Sequence, residues 1–343
     1  MKKPITLYDQ LAVNNLKTVL LVVLFPLLLM ITLVMFNTLA ICIIDDKEYT
    51  ELGVRILTDI FPIIELYLNK YTIPVFSSIG HLSTFFIPVC VISFIWMLIS
   101  YNFGNKMMLG FAGAEKISSK DYPKIFNMVE NLAITAGLPK PKLYIIDDNS
   151  LNAFATGATP KSASVALTKG IIEKLTPLEL EGVIAHEIAH IANRDVRLNM
   201  LIITGLSIFA LMADLIKNAI FRKRYSRKQN AKFTVVMFFI FLALVVFNLV
   251  IAPIIHMAIS RKREYAADAR GALLTRNPLA LASALEKISK DSQVEILESS
   301  PTMAAACIAT PYFYNKASLN SLLSSHPPIK SRIDILRYMA GRL

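Results

Sequence analysis

The sequence predicts a mainly α integral membrane protein, with a catalytic domain that holds a small β-sheet and about four transmembrane helices. Three observations predict it. Of the 343 residues, 55% are hydrophobic, above the roughly 45–50% of an ordinary soluble domain. Four long apolar segments alternate with polar stretches. One polar stretch carries His186-Glu187-Ile188-Ala189-His190 behind its own helix-start signal. Charged residues are only 18% yet sum to +11. The Lys and Arg are not interleaved with aromatics on a recognisable module, so nucleic acid is excluded as a partner. Basic residues beside apolar segments read instead as contacts with the bilayer surface and as orientation signals. Cys42, Cys90 and Cys307 are widely spaced, which implies small hydrophobes and no disulfide framework.

Residues 1–17 form a short basic N-terminus with Lys2, Lys3 and Lys17. Thr18–Ile44 is free of charge; at roughly 27 residues it crosses a bilayer with tilt and is too long for a signal-peptide core. Residues 45–81 form an acidic loop with Asp45, Asp46, Glu48, Glu51, Asp59 and Glu65. Leu82–Tyr101 is the second span. A basic N-terminus inside and an acidic loop outside place the chain beyond Tyr101 in the cytoplasm. The catalytic domain is expected over 102–197 and again over 261–343, split by a hydrophobic helical hairpin at 198–260. The hairpin's connection, Lys217–Lys232, carries Arg222, Lys223, Arg224, Arg227 and Lys228 without an acid. Two full spans would put that loop outside, against the positive-inside rule, so a re-entrant dip stays open beside the favoured double span. The Arg222–Lys228 cluster reads as a lipid-headgroup contact. His81, Asn248 and His256 read as interfacial or helix-packing groups.

Within the split domain, Asp121 and Pro123 open a helix with Ile125, Val129 and Leu132 on its apolar face, closed by Gly137. Lys142–Ile146 and Ser164–Thr168 are strand candidates. Thr176-Pro177-Leu178-Glu179 combines an N-cap, a first-turn proline and a capping-box acid, so a helix starts there. Asn277-Pro278 opens another amphipathic helix.

On the helix from Thr176, His186 and His190 are four apart and share a face, so both imidazoles can meet one metal ion. Glu187 stands where a general base for water is needed. A catalytic zinc takes three protein ligands, and the third must lie downstream. Cys307, His256, His326 and the acids are candidates. Glu264 is the best of them, because it begins a polar helix directly after the fourth apolar segment. Asp268 lies one turn further on, where it can accept the N–H of a ligating histidine.

Four stretches then carry a resemblance: Leu151-Asn152-Ala153-Phe154-Ala155-Thr156-Gly157; His186-Glu187-Ile188-Ala189-His190 with Asn193-Arg194-Asp195; Ser260-Arg261-Lys262-Arg263-Glu264-Tyr265-Ala266-Ala267-Asp268; and Ser325-His326-Pro327-Pro328 with Arg332-Ile333. In this order they resemble the HtpX-type membrane zinc metallopeptidases, relatives of the type I CaaX prenyl proteases. The resemblance implies a zincin (gluzincin-like) domain with one Zn2+ per chain held by His186, His190 and Glu264. It implies Glu187 as base, His326 as a second catalytic donor, and Asn152, Ala153, Phe154 and Ala155 in a substrate-facing edge strand. It also implies an inner (plasma) membrane, multi-pass endopeptidase with a cytoplasmic active site, which cleaves misfolded or damaged membrane proteins in a stress response. Its expected partners are polypeptide substrates, the lipid bilayer and other quality-control proteases. The acidic 45–81 loop and the basic 217–232 loop depart from the family pattern. Two rival functions are a CaaX-type prenyl-protein peptidase and a non-catalytic membrane scaffold. The first needs a chamber of more spans than these four, and the second has no use for Glu187.

Overall fold

In the computed structural model, residues 80–222, 261–290 and 327–341 are described, with isolated helical positions at 16, 238 and 242. The chain divides into two compact units. One holds Met1–Leu20, Leu98–Ser207 and Leu249–Leu343; the other holds Leu21–Met97 and Ile208–Asn248. The expected span Thr18–Ile44, the acidic loop at 45–81 apart from its last two positions, nearly all of Phe233–Ser260, and His326 lie outside the described residues.

The larger unit contains the catalytic motif. Its sheet has four strands, β1 (Ala114–Lys116), β2 (Lys142–Ile146), β3 (Ala153–Thr156) and β4 (Ser164–Thr168), in the order β1-β2-β4-β3. β2 and β4 occupy the positions expected from their β-branched residues and run parallel, with Leu143 opposite Val165. β1 and β3 flank them, each antiparallel to its neighbour. Neither stands out as a strand by composition, because three or four residues hold too little pattern to differ from a loop.

Helix α1 spans Gly80–Phe111, ten residues past the expected end at Tyr101. Hydropathy marks the length that suits lipid, whereas the helical hydrogen bonds continue while packing supports them. That extension is held within the larger unit. Gly104 faces Met200, the Asn105 amide donates to Ser162 O and Ser164 Oγ at 2.9 and 3.1 Å, and Met108 and Leu109 are buried.

Helix α2 (Pro123–Thr135) begins as expected and closes at Gly137 in the left-handed region, at φ 70°. Its cap is not Asp121, which instead accepts from the Ser118 hydroxyl at 2.6 Å. Short helix α3 (Lys169–Lys174) leads into α4 (Pro177–Ala192). The Thr176–Glu179 capping box forms in full, satisfying orphan N–H groups at the start of α4. Glu179 also accepts from Ser283 and Lys287, both at 2.6 Å.

Helix α5 (Asp195–Arg222) follows. Then come α6 (Arg261–Thr275), α7 (Pro278–Ile288), N-capped by Asn277, and α8 (Ile329–Ala340). Helix α4 is the centre of the core. Leu180, Val183, Ile184, Ile188 and Ile191 are buried among β3, α2, α6 and α7. A helix apolar on nearly all sides has to be enclosed, and this one carries its polar residues into the interior with it.

Of the smaller unit, residues 80–97 of α1 and 208–222 of α5 are described. Val91, Ile92, Phe94 and Ile95 of α1 are 42–57% exposed, a contiguous apolar surface that water does not favour. One stretch among the described residues, Asp195–Asp214, is long and apolar enough to cross a membrane, with a mean hydropathy of 1.8.

Candidate metal centre

Helix α4 delivers His186, Glu187 and His190, and all three are buried. Helix α6 delivers Glu264 and Asp268, one turn apart and also buried. The two helices approach closely because Gly271 lies against the His186 backbone, where a side chain has no room. Glu264, Asp268 and Gly271 at i, i+4 and i+7 share the face turned to α4.

One ligand atom from each of His186, His190 and Glu264 lies within 4.8 Å of the others. The His186 and His190 Nε2 atoms are 3.1 Å apart. The Glu264 carboxylate stands 3.8 Å from His186 Nε2 and 3.6 Å from His190 Nε2. A tetrahedral zinc with bonds of about 2.1 Å separates its donors by about 3.4 Å, so the spacing fits.

The carboxylates beside the two rings argue the same way. His186 Nδ1 lies 2.9 Å from Asp268 Oδ1, and His190 Nδ1 lies 3.1 Å from Asp195 Oδ2. Each carboxylate draws the ring proton to Nδ1 and leaves Nε2 as a lone pair. Two lone pairs facing each other at 3.1 Å are favourable only with a proton or a metal cation between them.

Arg332 of α8 is fully buried and binds Asp268 through two bonds, Nε to Oδ2 at 2.8 Å and Nη2 to Oδ1 at 2.7 Å. Its Nη2 also lies 3.4 Å from His186 Nε2, and its Nη1 3.7 Å from Glu264. Arg263 lies 3.6 Å from Asp195. Three carboxylates (Asp195, Glu264, Asp268) thus face two guanidiniums (Arg263, Arg332). The excess is one negative charge, or two when Glu187 ionises, which suits a divalent cation.

The same environment sets the ionisation of the site. Burial pushes the Glu187 carboxyl up, to about 7; Glu264 adds to the rise, while His190, the Ala155 N–H and Arg332 oppose it. Burial holds His186 down at about 4. Burial also lowers His190, but the carboxylates of Glu264, Asp195 and Glu187 outweigh it and raise the ring to about 9. Asp268 is pushed up by burial, yet Arg332 dominates and holds it at about 2.

The β3 strand borders this centre. Among the described residues it pairs only with β4. Thr168 N–H donates to Asn152 O, so Asn152, Phe154 and Thr156 turn their main-chain groups towards β4. Alternation then turns those of Ala153 and Ala155 to the opposite edge. On that side the Ala155 N–H is near enough to the Glu187 carboxyl to favour its charged form. Asn152 is buried, and its side-chain oxygen accepts from Ala153 N at 2.9 Å.

Of the residues singled out in the sequence, His186, Glu187, His190, Glu264 and Asp268 therefore converge, while Asn152, Ala153, Phe154 and Ala155 lie on or beside β3, which packs against α4. Asp195 and Arg332 belong to it as well, although in the sequence they stand only as parts of longer motifs. Arg332 carries a signal of its own. Ile329, Arg332, Ile333 and Leu336 share one helical face, and an arginine on an apolar face needs a buried anion.

The chain is similar to known proteins over the residues that build this site. The profile of "Peptidase family M48" matches residues 119–340. A "Protease HtpX homolog" of Bacteroides fragilis is 36% identical over 329 residues, which covers 94% of this chain and 95% of that protein. A protein of the same description from Dictyoglomus thermophilum is 41% identical over 246 residues, 71% of this chain and 78% of its own length. One from Tropheryma whipplei is 39% identical over 261 residues, 76% of this chain and 87% of that protein. The crystal structure of S. mikatae Ste24p aligns at 24% identity and a TM-score of 0.46, with 83% of this chain and 65% of that one covered; it is too distant a likeness to bear on the site.

Proposed function

For a chain that belongs to peptidase family M48, we propose that His186, His190 and Glu264 hold the catalytic zinc and that Glu187 is the general base. The chain is a zinc-dependent metalloendopeptidase, a hydrolase acting on polypeptides. The observation that carries the assignment is the buried His-His-Glu array with its donors within 4.8 Å. Zinc bound there polarises the scissile carbonyl and lowers the pKa of water.

The chain's own groups account for the rest. Asp268 and Asp195 stand against Nδ1 of the two imidazoles and would leave their Nε2 lone pairs free for the metal. Glu187 takes a proton from the attacking water and passes it to the leaving amine. Its burial raises its affinity for that proton, so the carboxyl can both accept and return it near neutral pH. The side of β3 away from β4 has no strand partner among the described residues, and an extended peptide that reached this buried strand would pair with its main chain as in β-augmentation. Because β3 packs against the helix that carries Glu187, a peptide paired with this strand would pass its scissile bond beside the base. Main-chain pairing reads little sequence, which suits an enzyme that cleaves misfolded polypeptides. The Arg332 guanidinium, 3.4 Å from His186 Nε2, keeps a positive charge beside the centre.

The enzyme acts at a membrane, with a multi-pass arrangement and a cytoplasmic active site. The exposed apolar surface of α1 and the apolar stretch Asp195–Asp214 support this reading, and membrane polypeptides are then the nearest substrates. His326 is assigned as a second donor to the tetrahedral oxyanion on motif order alone.

Metal content and casein hydrolysis of the detergent-purified protein test the core of the assignment, with wild type beside Glu187→Gln. About one zinc per chain in both, with cleavage only in the wild type, is expected. Full activity in Glu187→Gln, or no stoichiometric metal in chelator-free wild type, would overturn it.

A further inference from the structure

His186 and His190 are held by one device used twice. Behind His186, Asp268 binds Nδ1 and in turn receives two hydrogen bonds from Arg332. Behind His190, Asp195 Oδ2 binds Nδ1, while its other oxygen faces Arg263 Nη1 at 3.6 Å. Arg263 is only 11% exposed in its side chain, and its Nη2 donates to Asn199 Oδ1 at 3.2 Å. Each relay therefore runs from histidine to carboxylate to guanidinium, and no residue is shared between the two.

The second relay has a geometric consequence that the first lacks. Arg263 immediately precedes Glu264 on α6, whereas Asp195 and Asn199 lie on the first turns of α5. The Arg263–Asp195 pair thus ties the helix that supplies the third ligand to the carboxylate that orients the second. Asp195 and Glu264 are two buried carboxylates whose like charges repel. The Arg263 guanidinium, at ion-pair distance from Asp195 and beside Glu264, offsets that repulsion.

We propose that Arg263 is a positioning residue for zinc binding: through Asp195 it fixes the His190 imidazole, and it brings Glu264 into the same array. This rests on the reading of His190 as a ligand. Arg263 is not one of the residues whose ligand atoms converge. Its role differs from that of Arg270 on the same helix, which donates to the neutral Asn193 side chain at 2.8 Å and ties α6 to the end of α4 without meeting a carboxylate.

The test measures zinc affinity of the full-length protein in detergent by competition with a chromophoric chelator, with the visible band of the cobalt-substituted protein as a signature of ligand geometry. Arg263→Met should lower zinc affinity about 10- to 100-fold and shift the cobalt band, and Asp195→Asn should do the same. Arg263→Lys, which keeps the charge and loses the planar fork, should lose less. Arg270→Met should stay within about threefold of wild type, since it breaks only a helix tie. Because Arg263 acts through Asp195, the double variant should be no weaker than the more affected single one. If Arg263→Met does not fold, Arg263→Gln is read by the same criteria. Zinc affinity within about threefold of wild type in Arg263→Met, or losses that multiply in the double variant, would overturn the proposal. His190→Ala separates it from the reading beneath. Zinc lost in His190→Ala but retained in Arg263→Met refutes only the role of Arg263, whereas zinc retained in His190→Ala refutes the ligand assignment and this inference with it.

Discussion

Gly271→Ala probes how closely α6 must approach α4. A Cβ at this position would stand 3.0 Å from the His186 nitrogen, 3.2 Å from its Cα and 3.3 Å from the Ala185 carbonyl carbon. Ordinary contacts lie at about 3.5–4.0 Å, and all three neighbours are main chain, which cannot swing aside as a side-chain tip would. Helix α6 must therefore retreat by about half an ångström. Two effects on stability oppose each other. Alanine gains up to about 1 kcal/mol of helix propensity, and overpacking costs about 1–3 kcal/mol. The net change is a loss of about 0–2 kcal/mol, small enough for the protein to fold. Metal binding has less tolerance. Glu264 and Asp268 ride on the same face of α6, and ligand distances are held to about ±0.2 Å. A retreat of half an ångström should lower zinc affinity at least about tenfold, by analogy with the loss of an orienting partner.

Chelator competition read beside thermal unfolding separates the two effects, and Gly182→Ala supplies the control. Its Cβ would meet the Leu281 backbone at 3.0 and 3.1 Å, an equally tight contact; Gly182 lies on α4 one turn before His186, but the helix it presses on, α7, carries no ligand and can retreat. It should lose stability and keep its zinc. Wild-type zinc affinity in Gly271→Ala, or an equal loss of zinc in Gly182→Ala, would refute the reasoning.

Two further perturbations have expected outcomes. Burial tends to raise the Glu179 carboxyl, but the bonds from Lys287, Ser283 and Thr176 outweigh it and hold the group at about 2 against an ordinary 4.5. Its folded-state pKa is depressed, so its stabilisation is complete above 4.5 and disappears as pH falls to about 2. Discounted for the exposure of Lys287, the contribution is about 1–2 kcal/mol. Denaturant curves of wild type and Glu179→Gln should differ by that amount at neutral pH and converge near pH 2, and a constant gap would contradict the linkage. Arg332→Met leaves Asp268 and Glu264 without their buried counter-charge and should destabilise the fold by about 3–5 kcal/mol, measured by chemical denaturation at neutral pH. A loss below about 1 kcal/mol would mean that those carboxylates are neutralised by another group.

The sequence by itself determined what depends on neighbours along the chain. His186 and His190 share a face because a helix repeats about every 3.6 residues. The start of that helix was legible because Thr176 and Glu179 satisfy each other's backbone within one turn. β2, β4 and the start of α7 were legible in the same way, from β-branched runs and from Asn277-Pro278. Glu264 stood out as the third ligand by its place after an apolar segment and by the family motif around it, and the fold brings it to the histidines.

Only the tertiary structure decided the rest, because it depends on groups far apart in the chain. Arg332 meets Asp268 across 64 positions and His186 across 146, separations at which no local pattern carries information. The resemblance offered Asn152–Ala155 as an edge strand, but its partner, and its packing against the helix of Glu187, emerged only with β4 set between β2 and β3. The partnership of Asp195 with both His190 and Arg263 joins three helices. Burial completes the division. A carboxylate, an imidazole and a guanidinium look like surface groups in a sequence, and the closure of α4, α6 and α8 around them turns them into one interdependent charge array.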